Sequence, residues 1–164
     1  MARRRHADAE DPAIPPGPAT VDLHTHTLRS DGLLEPVALL AAVAGAGVRL
    51  LAITDHDDLS AYRELTAPGA TPLPAGLRLL PGVEINCLTT GVPELWEGEL
   101  HLLGLGVDPS DEAFEAIIAE QRGRRRVRFA RTLDRLRELD MPVDDVASEL
   151  DPAETASLGR PTVA

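Results

Sequence analysis

Leu50-Leu51-Ala52-Ile53-Thr54-Asp55-His56-Asp57 opens as a continuous apolar run of strand length and ends in side chains that hold protons and cations. An unbroken apolar run of this length is the pattern of a strand buried on both faces, as in a parallel sheet covered by helices. Upstream, Thr20-Val21-Asp22-Leu23-His24 reads as a short strand, and Glu35-Pro36 opens a helix. Val37, Leu39, Leu40 and Val43 form its apolar face, which ends near Gly45 and Gly47. Downstream, a short helix over 61–65 leads through the loop Pro68-Gly69-Ala70-Thr71-Pro72-Leu73-Pro74 to a strand over 77–85. A further strand, Leu100-His101-Leu102-Leu103-Gly104-Leu105, follows the loop that contains Trp96. From Asp111 the periodicity turns helical through Phe114, Ile117, Ile118, Phe129, Leu133 and Leu136 to Leu139, and Pro142 stops it. Alternating strands and helices predict α/β layering.

The 164 residues, 43% hydrophobic and 26% charged, suit one globular domain or a domain and part of a second. Aromatics are only 2%, too few rings for a base-stacking surface. A net charge of -11 makes non-specific nucleic-acid binding unfavourable. All 16 basic residues are arginine, so Schiff-base and P-loop lysine mechanisms have no residue to run on. The single cysteine, Cys87, excludes an internal disulfide and a thiolate zinc finger, and fits a reducing compartment. No apolar run is long enough to span a bilayer, and Met1-Ala2-Arg3-Arg4-Arg5 is followed by acidic and proline residues, so a soluble cytoplasmic protein is expected. The Pro- and Arg-rich residues 1–19 read as a disordered arm.

Four of the five histidines fall in or just after predicted strands, each with a carboxylate nearby. In an extended segment residues two apart point the same way, so His24 and His26 can face one cation. Asp31 in Ser30-Asp31-Gly32, His56 after the second strand and Glu84 at the end of the third add ligands, and His101 follows Glu99. The C-terminal ends of parallel strands share one rim, where such side chains converge. Imidazole and carboxylate without thiolate suit Zn, Mn or Fe. Each motif alone has a plainer reading: a surface histidine pair, helix-capping aspartates at Asp55 and Asp57, an exposed strand-end carboxylate at Glu84. Within a metal site Asp55 and Asp57 are expected either to support the ligands from behind or to cap. Their joint occurrence, each after its own apolar strand, favours a metal site.

These residues also resemble a known family. Asp22-Leu23-His24-Thr25-His26, Ser30-Asp31-Gly32, Leu51-Ala52-Ile53-Thr54-Asp55-His56-Asp57, Pro81-Gly82-Val83-Glu84-Ile85 and His101-Leu102-Leu103-Gly104 look like the opening motifs of the polymerase and histidinol phosphatase (PHP) superfamily. They are most similar to its bacterial 3',5'-nucleoside bisphosphate phosphatases and exonuclease-like phosphoesterases. The resemblance implies the N-terminal part of a distorted (β/α)7 barrel over 20–108, then a helical insertion over 109–164 truncated at its end. It implies up to three divalent metals: His24 and His26 on one, Glu84 bridging to a second that includes His101, Asp31 with His56 on a third. It also implies a metal-dependent phosphoesterase acting on a small phosphorylated substrate, a nucleotide or the end of a short oligonucleotide. A non-catalytic or degenerate metal-binding module, and a sugar or histidinol phosphate phosphatase, are the alternatives.

Half of all the basic residues occupy one helical stretch, from Arg122 to Arg137. Most read as a solvated face paired with Glu120, Asp134 and Glu138. Helical steps back from Phe129 and Leu133 reach Arg125 and Arg122, which can turn inward and grip a phosphate. Arg160, in Gly159-Arg160-Pro161, is a third candidate. The family's Gly-Arg-Pro is normally followed by a metal-binding histidine, and here that place is Thr162. The family's later ligands would follow Ala164, so each metal position is expected to lack a ligand from this chain, which argues against an independent, efficient enzyme.

Overall fold

A computed structural model describes residues 20–89 and 98–143. The expected arm over 1–19, the Trp96 loop, Arg160 and Thr162 lie outside the described residues. The elements run β1 (Thr20–Thr25), α1 (Pro36–Gly45), β2 (Val48–Ile53), α2 (Ser60–Thr66), β3 (Arg78–Leu88), β4 (Glu99–Leu105) and α3 (Glu112–Glu138). They form one sheet of order β1-β2-β3-β4, an α/β fold as the alternation predicts.

The apolar run forms the middle of that sheet. Leu51 and Ala52 are fully buried, and β2 pairs in parallel with both β1 and β3. Leu51 and Ile53 join Leu39, Leu40 and Val43 of α1 and Ala61 and Leu65 of α2 in the main core. Pro36 occupies the first turn of α1, where a missing N–H costs nothing. Asp111 caps α3 by accepting from Ala113 N at 2.9 Å and Phe114 N at 3.0 Å. The start of α3 then packs Ile118 on Leu59 and Val83.

Two expectations are corrected. Glu84 does not end β3: the parallel pairing with β2 stops at Ile53↔Pro81, and β3 continues to Leu88 against a new neighbour. That neighbour, β4, is antiparallel rather than a further parallel strand. The connection from β3 to β4 has ten residues, fewer than the dozen or so that a parallel crossover needs. The reversal sets His101 opposite Asn86, near the start of β4, so this histidine reaches the rim from the other direction.

Close approach of β3 to β2 explains Pro81-Gly82-Val83-Glu84. A Cβ on Gly82 would lie 2.8 Å from Ile53 O and 2.9 Å from Thr54 Cγ2. Just beyond, the 55–57 segment brackets Glu84: Glu84 N donates to Asp55 O at 3.2 Å, and Asp57 N donates to Glu84 O at 2.9 Å. His56 and Glu84 are thus set side by side. Gly82→Ala is expected to destabilise the fold by about 1–3 kcal/mol, as overpacking does, read as a lower urea midpoint with an unchanged slope.

Candidate metal centre

All six sequence-predicted ligand candidates meet around Glu84, whose side chain is 4% exposed. His24 Nε2 lies 3.1 Å and His26 Nε2 3.0 Å from Glu84 Oε2, and His56 Nδ1 is 3.5 Å from the same oxygen. His101 Nδ1 is 2.6 Å from Glu84 Oε1. Asp31 stands beyond, 3.3 Å from His26 Nδ1 and 3.4 Å from His56 Nε2. The donors fall into three overlapping groups, each within 4.8 Å: His24, His26 and Glu84; His56, Glu84 and His101; His26, Asp31 and His56. The plainer reading of Glu84 as an exposed strand-end carboxylate is overturned, because β4 and the 55–57 segment cover it.

Local backbone brings the histidines round. β1 carries an irregularity between Asp22 and Thr25, with one more residue than β2 across the same span. A bulge of this kind re-aims a side chain, here His24, as it leaves the ladder. The loop after β1 folds back so tightly that a Cβ on Gly32 would lie 2.2 Å from His26 O, which accounts for the glycine in Ser30-Asp31-Gly32.

Asp55 holds this loop. Fully buried, it accepts from Thr27 N at 2.7 Å, Thr27 Oγ1 at 2.7 Å and Ser30 Oγ at 2.6 Å. Since Ser30 gives its proton to Asp55, its oxygen accepts from His26 Nδ1 at 3.1 Å. His26 then carries its proton on Nδ1, and the Nε2 lone pair faces Glu84. The capping reading is corrected too: the aspartate that accepts from Ser60 N before α2 is Asp58, at 2.5 Å, while Asp55 and Asp57 face inward. Thr27 and Ser30, buried or half-buried supports, were not singled out from the sequence; their signal is hydroxyl spacing within Thr27 to Ser30.

A divalent cation fits this donor set. A lone pair on His26 Nε2 facing a carboxylate oxygen at 3.0 Å is repulsive unless a cation or proton lies between. His56 Nδ1 is buried with no hydrogen-bond partner among the described residues. Ligand atoms sharing one ion at about 2.1 Å sit about 3.0–3.4 Å apart. The pairs His24–Glu84, His26–Glu84, His26–Asp31 and His56–Asp31 occupy that range, while His101–Glu84 at 2.6 Å is a hydrogen bond and His56–Glu84 at 3.5 Å lies just outside it. Burial alone would raise the Glu84 pKa, but hydrogen bonds from His24 and His101 outweigh it and hold the pKa below its usual value. Burial lowers the pKa of His56, opposed by Glu84 and Asp31, so its neutral, ligand-competent form is favoured.

The arginines divide as the helix predicts. Arg124 pairs with Glu120 at 2.7 Å, Arg135 with Glu138 at 2.7 Å and Arg137 with Asp134 at 3.0 Å on the solvated face. Arg122 and Arg125 do turn inward, but their forks meet protein groups where a phosphate grip was expected. Arg125 Nη2 and Nε reach Asp57 Oδ2 at 2.7 and 3.2 Å, while Arg122 donates to Asp57 O and Glu115 Oε1, both at 2.7 Å. An open groove of about 1080 Å³ runs from Asn86 and Leu88 of β3 to Arg124, Arg125, Val127 and Arg128 of α3. Asn86 shares its strand face with Glu84 and stands opposite His101, so the groove's β3 end lies on the same face of the sheet as the histidine cluster.

The chain has relatives in sequence and in fold among known proteins. No protein-family model matches the chain. The 5'-3' exoribonuclease Rnm of Salmonella typhimurium is 36% identical over 126 residues, which cover 74% of this chain and 39% of that protein. The 3',5'-nucleoside bisphosphate phosphatase of Chromobacterium violaceum is 36% identical over 98 residues, 60% of this chain and 31% of the relative. A crystal structure from Bifidobacterium adolescentis, assigned as a metal-dependent phosphoesterase, superposes with a TM-score of 0.64 at 30% identity, covering 90% of this chain and 49% of the other. The chain thus spans less than half the length of these relatives. No helix among the described residues is long and apolar enough to cross a membrane.

Acid should weaken this centre in two ways. A histidine kept neutral by burial withdraws stability as pH falls below its unfolded value near 6.5, and a carboxylate with a lowered pKa withdraws it below about 4.5. Metal-free chain is expected to show a urea midpoint that falls steadily from neutral pH to about pH 4. Metal uptake should be lost near pH 6, where imidazoles protonate. Gly32→Ala is expected to cost about 1–3 kcal/mol of stability and to weaken metal uptake, both measurable on one preparation by denaturation and calorimetry.

Proposed function

We propose that this chain, related in sequence and fold to the metal-dependent phosphoesterases of the PHP superfamily, supplies the metal-holding rim of a phosphoesterase that acts on a nucleotide. The substrate is a 3',5'-nucleoside bisphosphate or the end of a short oligonucleotide, in keeping with the named activities of the relatives. The observation that carries the reading is the buried Glu84 carboxylate among four imidazoles, a donor set made for cations.

His24 and His26 with Glu84 would hold one ion, Glu84 and His101 a second, and Asp31 with His56 a third, with Mn, Zn or Fe as the ions that such donors suit. When bound, divalent cations neutralise a phosphate ester and lower the pKa of an attacking water. Asp55 orients His26 through Ser30, so that His26 Nε2 faces the ion. Arg124, Arg125 and Arg128 along the groove are held by Glu120, Asp57 and Glu99, so they shape its wall, and a substrate phosphate would have to compete with these carboxylates for them. Arg122 and Arg125 serve this wall as anchors of α3, and Arg160 is proposed as a further phosphate contact.

Purified chain supplied with Mn is expected to bind at least two equivalents and to release phosphate from a 3',5'-bisphosphate. Glu84→Gln should cost about a hundredfold or more in metal affinity, since Glu84 serves two groups. His24→Ala should weaken one equivalent, and His6→Ala none. Tight binding without turnover would support the non-catalytic alternative, and no binding would refute the metal centre.

A further inference from the structure

Asp57 touches no candidate ligand through its side chain, yet three parts of the molecule converge on it. Its N–H donates to Glu84 O at 2.9 Å. Its carbonyl accepts from Arg122 Nη1 at 2.7 Å. Its Oδ2 accepts from both Arg125 Nη2, at 2.7 Å, and Arg125 Nε, at 3.2 Å. Its backbone is left-handed, with φ of +54°, a conformation uncommon for residues other than glycine, though Asp is one of those that adopt it. Both members of the ion pair are buried, Asp57 at 1% and Arg125 at 8% exposure, and Asp57 Oδ1 has no hydrogen-bond partner among the described residues. A buried pair with an unsatisfied oxygen is a poor way to add stability, so its location needs another reason. That location is the peptide next to His56 and the backbone partner of Glu84.

We propose that Asp57 is a positioning residue for the metal centre, clamping α3 through Arg125 and Arg122 so that His56 and Glu84 keep the spacing of a shared coordination sphere. The inference rests on the metal reading above and adds to it a link between the helix and the ions. Without the clamp, the 55–57 segment relaxes from its left-handed turn, and the two donors on either side of its hydrogen bond to Glu84 drift apart. The clamp acts through backbone geometry: among the described residues Arg125 bonds the carboxylate of Asp57, and Arg122 bonds its carbonyl and Glu115.

The test uses the full chain and Co2+ alone, whose visible absorption reports coordination geometry. Asp57→Asn and Arg125→Met are expected to weaken Co2+ affinity about tenfold or more, as loss of an outer partner does, and to shift the absorption bands at a temperature where both variants remain folded by circular dichroism. Arg125→Lys, which keeps the charge, should recover part of the affinity. Arg135→Gln, on the solvated face of α3, should behave as the unaltered chain. Folded Asp57→Asn and Arg125→Met with unaltered affinity and bands would overturn the proposal, whatever their melting temperatures, because a merely structural pair moves only the latter. If neither folds, Arg122→Gln decides: a smaller shift of the same bands supports the clamp, and unaltered bands overturn it. Failure of the unaltered chain to bind Co2+ would instead refute the metal reading itself, and the inference with it.

Discussion

A carboxylate taken out of water and ringed by four imidazoles is the constraint around which the rest of this molecule is arranged. Glu84 is 3% exposed, and a bare anion so placed is costly unless cations or hydrogen-bond donors surround it. The protein meets that demand with His24 and His26 from the first strand and its loop, His56 from the end of the second, and His101 from the fourth. Four elements must therefore hold their relative positions for one side chain to be tolerated. Protons and a metal ion compete for these same imidazole nitrogens, so metal uptake is coupled to pH.

Rigidity of the loops follows from hydrogen bonding inside the rim. Asp55 takes three protons from the loop after β1, which fixes that loop against the end of β2 and settles which nitrogen of His26 is free. Asp57 does the corresponding work between the same strand end and α3. The two acidic residues flanking His56 thus face different partners, one stitching sheet to loop and the other sheet to helix. A histidine held between two such anchors loses little freedom when it binds, which is how a metal site gains affinity from its supports.

Much of the fold was legible in sequence because apolar runs and capping residues are local signals. The buried run over 50–54, the proline opening α1 and the aspartate opening α3 each specify an element from a few neighbouring residues. The direction of β4 was less legible, since it depends on the length of a connection rather than on the strand itself, and a ten-residue span leaves only the antiparallel return. The inward turn of Arg125 was readable from helical steps, whereas its partner was not, because Asp57 is 68 residues away. Thr27 and Ser30 escaped notice for the same reason: their role exists only once Asp55 is beside them.

The sequence by itself determined which chemical groups are present and the order of strands that carry them, because side-chain type and local periodicity need no knowledge of distant residues. Only the tertiary structure decided that Glu84 lies at the centre rather than at an edge, that His101 arrives from an antiparallel strand, and that two inward arginines meet Asp57 and Glu115. These are distances between residues far apart in the chain, set by sheet pairing and by the packing of α3, and packing is a property of the folded whole.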